Sequence, residues 1–111
     1  MTENQATSKL VQLLKPHGFF WKCADRFTAG IPDIIGCYLG RFIAIEMKID
    51  SGKPTSLQIY NMKQIVKNTG YVAIITYSNK QHTWTLGDHT SPSASCLMDY
   101  LLYRMKEYYE N

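Results

Sequence analysis

The sequence predicts an α/β fold in which helices pack on a parallel or mixed β-sheet. Apolar patterns follow one another along the chain in the order helix, three strands, helix, two strands and helix. The segment Tyr71–Tyr77 is almost entirely apolar, as expected for a strand that is covered on both faces. A helix between the third and fourth strands favours at least one parallel pair, because a crossover connection returns the chain in the same direction.

Length and composition indicate a single domain over residues 1–111. The chain has 111 residues, of which 45% are hydrophobic and 19% are charged, and its net charge is +3. These values disfavour disorder, and no apolar run is long enough to cross a membrane. Three cysteines without a CxxC pair favour a reducing cytoplasm. The small positive charge permits a nucleic acid partner without requiring one.

The first half of the chain predicts one helix and three strands. The helix begins at a capping box, Thr2–Gln5, in which the two side chains satisfy backbone N–H groups reciprocally. Pro16 ends it, because the residue before a proline avoids helical backbone angles. Gly40 and Arg41 predict a tight turn that joins the second and third strands into a hairpin. The predicted strands are Phe19–Ala24, Asp33–Leu39 and Phe42–Lys48, and residues 25–32 form a loop.

The second half predicts two helices and two strands. A second capping box, Thr55–Gln58, begins a helix that Gly70 is expected to end. The last helix begins near Pro92 and is amphipathic, because its apolar residues recur at three- and four-residue spacing. The predicted strands are Tyr71–Tyr77 and His82–Leu86, and the apolar face of the last helix carries Leu97, Met98, Leu101, Leu102 and Met105.

The third predicted strand carries charge on one face. Since side chains alternate along a strand, Glu46 and Lys48 share one face and the other face is wholly apolar. The hairpin can bring Asp33 beside Glu46, where the two carboxylates repel each other. A hard cation such as Mg²⁺ relieves this repulsion, and an adjacent lysine can orient water or neutralise charge on a phosphate. The pattern therefore favours metal-assisted hydrolysis of a phosphodiester.

A purely structural interpretation is the alternative for these residues. Glu46 and Lys48 would then form the solvated face of an edge strand, and Asp33 would be only a turn residue after a proline. An isolated ExK motif favours this alternative, because short motifs match by chance. It weakens here, because Pro32-Asp33, an apolar strand and ExK occur together in the required order.

This combination resembles the PD-(D/E)XK nuclease signature, and in particular the VRR-NUC (virus-type replication-repair nuclease) group. The resemblance implies a three-layer α/β/α restriction-endonuclease-like fold with a central mixed sheet, and DNA cleavage that depends on Mg²⁺ or Mn²⁺. It implies that Asp33 and Glu46 hold metal, that Met47 offers its backbone carbonyl and that Lys48 is catalytic. The matching motifs are Gly30–Asp33, Gly40, Ile43–Lys48 and Gly52–Gln58.

Five further residues extend the predicted site. Glu3 is similar to an acidic residue that many members of the family carry on the first helix, but it can also serve only the helix dipole. Gln58 either caps its helix or points toward the metal site, and the two roles are compatible. Lys53, Arg41 and Lys63 are candidate DNA contacts, with solvated side chains as the alternative.

The predicted function is a structure-selective endonuclease, similar to Holliday-junction resolvases, in phage or cellular DNA replication or repair. A non-catalytic DNA-binding module that retains the nuclease fold is the alternative, and a structural protein is a third class. We expect branched or duplex DNA as the partner, no membrane, and a bacterial cytoplasm or phage-infected cell as the location. We also expect a homodimer, because cutting both strands requires two sites. The expected interface is the last helix, with Tyr100, Tyr103, Tyr108 and Tyr109.

Overall fold

The computed structural model describes residues 1–23 and 28–110, which form one six-stranded sheet and three helices. The helices are α1 (Glu3–Leu14), α2 (Ser56–Lys67) and α3 (Ala94–Glu110). The strands are β1 (Phe19–Lys22), β2 (Ile34–Tyr38), β3 (Arg41–Ile49), β4 (Tyr71–Ser78), β5 (Thr83–Leu86) and β6 (His89–Ser91). They lie in sequence order across the sheet, with β3 and β4 parallel and the other neighbouring pairs antiparallel. The predicted α/β fold with a central mixed sheet is confirmed.

The two faces of the sheet differ as the alternation in β3 predicts. On one face, β3 contributes apolar side chains that pack with α1 and α3 into the main core. On the other face, α2 packs on β4, and β3 presents Glu46 and Lys48. The core residues of β3 and β4 are Ile43, Ile45, Met47, Ala73, Ile75 and Tyr77. Glu46 and Lys48 are both buried, so the charged face of β3 is not exposed to solvent as the structural alternative requires.

Both predicted capping boxes are present. In α2, the Thr55 side chain accepts a hydrogen bond from the Gln58 N–H at 3.1 Å, and the Gln58 side chain accepts one from the Thr55 N–H at 2.8 Å. The end of α2 differs from the prediction, because Thr69 and not Gly70 adopts a positive φ, of 67°. Gly70 is required instead for packing, since a Cβ there would lie 2.5 Å from Cγ2 of Ile65.

Several strands begin or end at other residues than predicted, mainly next to turn residues with a positive φ. Leu39 and Gly40 form the β2–β3 turn with φ of 52° and 77°, so Arg41 belongs to β3 and not to the turn. His82 also has a positive φ, and β5 therefore begins one residue later, at Thr83. The short polar strand β6 was not predicted, because its three residues show no apolar alternation. Ala24, the predicted end of the first strand, and residues 25–27 of the predicted loop lie outside the described residues.

Candidate metal centre

Three carboxylates from distant parts of the chain meet where β2 begins and β3 ends. Glu3 is the first residue of α1, Asp33 directly precedes β2, and Glu46 lies in the second half of β3. One carboxylate oxygen of each residue lies within 4.8 Å of the other two. The structure therefore brings Glu3, Asp33 and Glu46 together, and we call this group the carboxylate cluster.

Two sets of contacts position Asp33: one holds Gly30, three residues earlier, and the other involves the Asp33 carboxylate itself. Gly30 has a φ of 83°, and a Cβ on it would lie 2.6 Å from Cγ of Leu57 in α2. The Asn61 side chain, also on α2, donates a hydrogen bond to the Gly30 carbonyl at 2.8 Å. The Asp33 carboxylate in turn accepts the Met47 N–H at 2.7 Å. Gly30, three residues before Asp33, is thus fixed against α2, and Met47 contacts the cluster through its N–H.

Glu46 is buried, with only 1% of its surface exposed. Its Oε1 accepts a hydrogen bond from Nε2 of Gln58 at 2.8 Å, and Nζ of Lys48 lies 3.4 Å from the same oxygen. Its Oε2 has no hydrogen-bond donor among the residues that the structure describes. Gln58 therefore makes both contacts proposed for it, one to the backbone of Thr55 and one to Glu46.

The cluster disfavours full ionisation of its carboxyl groups. Burial and the neighbouring Asp33 carboxyl, which is close enough to share a proton, raise the pKa of Glu46 to about 8, and the ammonium of Lys48 opposes this rise. Partial burial and then Asp33 also raise the pKa of Glu3, again against Lys48. Without a cation, the cluster consequently retains a proton at neutral pH.

These residues fit a divalent metal ion. Mg²⁺ and Mn²⁺ prefer oxygen ligands, and each of the three carboxylates offers an oxygen to one small volume. The buried Oε2 of Glu46 has no donor in the described chain, so it is available to the proton that the cluster retains without metal or to a cation that replaces this proton. The donor set of the cluster therefore suits a hard divalent cation.

The three basic residues predicted to contact DNA occupy different places. Lys53 is exposed in the loop before α2, and Lys63 is exposed on α2 itself. Arg41 lies at the start of β3, with its guanidinium 4.9 Å from the centre of the Tyr109 ring on α3. The structure does not bring Arg41 toward the carboxylate cluster, because Glu46 lies five residues farther along the strand.

The tyrosines of α3, which the sequence assigned to a partner subunit, mostly contact their own chain. Tyr100 stacks on His89, Tyr108 packs edge-on against Tyr71, and the Tyr109 hydroxyl donates to the Phe42 carbonyl. Tyr103 remains largely exposed. None of the described helices, α3 included, is long and apolar enough to cross a membrane.

A polar contact that the sequence pattern does not reveal lies beside the cluster. Asp50 directly follows β3 and Asn79 directly follows β4, so the parallel pairing of these strands brings the two residues together. The Asn79 N–H donates to the Asp50 carboxylate at 2.7 Å, and the Asn79 side chain donates to the Met1 carbonyl at 2.9 Å. This contact fixes the segment that leads into α1, and hence the position of Glu3.

Solved structures with a similar fold include a junction resolvase and a nuclease domain. Hjc, a Holliday junction resolvase from the archaeal hyperthermophile Archaeoglobus fulgidus, is similar over 76% of this chain and 74% of its own, with a TM-score of 0.58 and 14% identity. A VRR_NUC domain is similar over 73% of this chain and 90% of its own, with a TM-score of 0.54 and 21% identity. No protein-family model and no curated protein sequence matches the chain. The similarity supports the restriction-endonuclease-like fold that the motifs predicted.

Proposed function

We propose that this protein is a metal-dependent DNA nuclease of the PD-(D/E)XK superfamily, VRR-NUC group, that hydrolyses phosphodiester bonds. The observation that carries the proposal is the buried Glu46, whose Oε2 has no donor in the described chain, beside Asp33, Glu3 and Lys48. A buried ExK strand face next to further carboxylates is difficult to explain by stability alone, because burying such charges is costly. The fold similarity to a resolvase and to a VRR_NUC domain supports the same conclusion.

Each residue of the site has a distinct role in this proposal. Glu3, Asp33 and Glu46 would hold Mg²⁺ or Mn²⁺, and the predicted contribution of the Met47 carbonyl remains part of the proposal. A bound cation supplies charge neutralisation at the scissile phosphate and activation of water. Lys48 offers N–H donors that orient the attacking water or stabilise charge developing on the phosphate. Gln58 holds the Glu46 carboxylate through its side-chain amide.

The proposed substrate is branched or duplex DNA in replication or repair, cut by a structure-selective endonuclease in the cytoplasm. Lys53 and Lys63 lie in or before α2, which packs on the face of the sheet that carries Glu46. They are proposed to contact the DNA backbone, whereas Arg41 packs on α3 and is left out of this role. We also propose a homodimer, since two cuts in fixed register require two sites.

Cleavage of labelled linear, flapped and four-way-junction DNA, with Mg²⁺, Mn²⁺ or a chelator, tests the proposed function. We expect cleavage only with metal, and a rate at least about 100-fold lower for Lys48→Ala, because positioned proton donors and acceptors contribute this much or more. The Lys48→Ala variant should keep its Mn²⁺ affinity, since an ammonium group is not a ligand. Lys106→Ala on α3 removes an exposed lysine on the opposite face and should cut at the wild-type rate.

The possible outcomes separate the function classes. A chain that binds these DNAs without cutting any of them, at saturating metal, would be the non-catalytic DNA-binding module. A chain that neither binds nor cuts DNA would contradict both DNA-related functions. Light scattering over a dilution series tests the homodimer separately, and a mass of one chain at high concentration would exclude it.

A further inference from the structure

Strand β1 carries two exposed aromatic side chains on the α2 side of the sheet. Phe19 is 69% exposed and Trp21 is 62% exposed. The β1–β2 register pairs Trp21 with Ile35 and Phe19 with Cys37. Since side chains alternate along β2, these residues share a face with Asp33. We call Phe19 and Trp21 the aromatic patch.

The aromatic patch lies next to the carboxylate cluster. Trp21 is one strand away from Ile35, and Ile35 is two residues along β2 from Asp33. With about 4.8 Å between strands and about 6.8 Å between alternate residues, the Cα atoms of Trp21 and Asp33 are roughly 8 Å apart. A single ligand bound at the carboxylate cluster could therefore also stack on Trp21.

No described helix covers the aromatic patch. Helices α1 and α3 pack on the opposite face of the sheet, and α2 packs on β4. Isolated exposed aromatic residues are common, but two large rings on one strand beside a polar cluster form a contiguous apolar surface, and such surfaces indicate binding. The patch is aromatic and not aliphatic, which favours a planar ligand over a generic apolar one.

The charges around the aromatic patch complement a polyanion. On this face of the described sheet and on α2, the only acidic side chains are Asp33 and Glu46, which belong to the carboxylate cluster. The basic residues of this face and of its border are Lys48, Lys53, Lys63 and Lys67. The other described acidic residues are Glu3 of the carboxylate cluster, Asp50 directly after β3, Asp88 in the β5–β6 turn, and Asp99, Glu107 and Glu110 in α3. A polyanion bound on this face would therefore lie near lysines, and its only acidic neighbours there would be those of the carboxylate cluster.

We propose that Trp21 and Phe19 stack on the bases of an unpaired stretch of DNA and hold the adjoining backbone at the carboxylate cluster. The inference rests on the proposed function and specifies its substrate. Stacking on aromatic side chains is the common mode of binding single strands, because the faces of unpaired bases are accessible. Bases inside a duplex are already stacked on each other. The patch would therefore select DNA with single-stranded ends, flaps or open branch points.

Tryptophan fluorescence provides a direct test. The chain has two tryptophans, and Trp84 is buried against Tyr77, so quenching by an added oligonucleotide reports mainly on Trp21. We would titrate oligothymidylate, and separately a fully paired duplex of the same length, without divalent cation so that nothing is cut. Trp21→Ala, followed by fluorescence anisotropy of labelled DNA, should weaken single-strand binding at least about fivefold and leave duplex binding unchanged.

Two further variants separate stacking from a general loss of structure. Trp21→Phe should restore most of the single-strand affinity, since it keeps an aromatic face. Tyr103→Ala removes a similarly exposed ring from α3, on the other side of the sheet, and should bind like the wild type. Equal thermal stability of all three variants would show that the exposed side chains were removed without unfolding the chain.

Each outcome supports or overturns the proposal. Wild-type affinity of Trp21→Ala for oligothymidylate would overturn it, while metal-dependent cleavage of duplex DNA by the same variant would leave the proposed nuclease function intact. A wild-type chain that neither binds nor cuts any DNA would overturn both. If light scattering showed that Trp21→Ala converts a dimer into a monomer, the patch would be an interface between two copies and the stacking proposal would be wrong.

Discussion

A buried carboxylate such as that of Glu46 destabilises the folded chain whenever it is ionised without a compensating charge. One of its oxygens has two donors nearby, Gln58 and Lys48, and the other has none in the described chain. Asp33 differs, because its carboxylate accepts the Met47 N–H and so satisfies a backbone donor. Removing either carboxylate would therefore leave donors without a partner: the Met47 N–H in the case of Asp33, and the Gln58 amide and Lys48 ammonium in the case of Glu46.

Glu46 should make the metal-free protein less stable as the pH rises. Its pKa is near 4.5 in the unfolded chain and about 8 in the folded one, so the folded state binds the proton more tightly. The free energy of unfolding should therefore be highest below about pH 4.5 and fall toward pH 8, by up to about 1.4 kcal/mol per pH unit. Glu46→Gln should remove this slope. Urea denaturation between pH 5 and pH 8.5, in a chelator, measures it.

A matched substitution and a metal titration complete this experiment. Asp99→Asn changes an exposed carboxylate on α3 and should leave the pH slope as in the wild type. Saturating Mn²⁺ should raise the free energy of unfolding of the wild type most strongly near pH 8. At that pH the bound cation takes the place of the proton that Glu46 is losing. An identical slope in wild type and Glu46→Gln would show that Glu46 does not hold the proton.

Among the elements, α2 connects the capping box at its own start to the carboxylate cluster. The Thr55–Gln58 capping box sets where the helix begins, and the same Gln58 side chain reaches Glu46. Asn61, one turn later, donates to the Gly30 carbonyl, three residues before Asp33. The capping box was predictable because it depends on four consecutive residues. The contact from Asn61 was not, because it joins residues 31 positions apart in the chain.

Gln58→Glu should separate capping from the contact with Glu46. Glutamate serves as well as glutamine in a capping box, but here it replaces an N–H donor with a carboxylate 2.8 Å from the Glu46 oxygen. We expect a loss of about 1–3 kcal/mol in unfolding free energy at pH 8, and a lower cleavage rate. Denaturation and single-turnover cleavage measure these effects.

The chain contains its own control for this substitution. Gln5 occupies the same position in the capping box of α1, and Gln5→Glu makes the same chemical change away from Glu46. Its stability should change by no more than about 0.5 kcal/mol. Equal effects of the two substitutions would mean that Gln58 acts only as a helix cap.

Over the whole molecule, local patterns predicted the elements and long-range contacts determine the site. The alternation in β3 was sufficient to place Glu46 and Lys48 on one face, and the hairpin was sufficient to place Asp33 beside them. The place of Glu3 in the cluster was indicated only by the family resemblance and not by a local pattern, because it depends on where α1 lies relative to the sheet. That position depends on Asn79 and Asp50, two polar residues in turns that have no distinctive sequence signal.

Asn79→Ala should weaken metal binding without touching a proposed ligand. The substitution removes the side-chain donor to the Met1 carbonyl and so loosens the segment that places Glu3 in the cluster. Loss of a residue that orients a metal ligand commonly weakens affinity by about tenfold or more, and we expect about tenfold for Mn²⁺ by isothermal titration calorimetry. Gln81→Ala, an exposed change in the same turn, should bind Mn²⁺ like the wild type.

A double-mutant cycle shows whether Asn79 acts through Glu3. Glu3→Ala removes the carboxylate itself, so adding Asn79→Ala to it should cost almost no further Mn²⁺ affinity if the two residues belong to one contact chain. Independent residues would instead give additive losses in the double variant, and additivity would show that Asn79 does not position Glu3. Because calorimetry measures binding directly, the result does not depend on cleavage. The cycle thus shows whether the contact at the ends of β3 and β4 places Glu3, at the start of α1, in the carboxylate cluster.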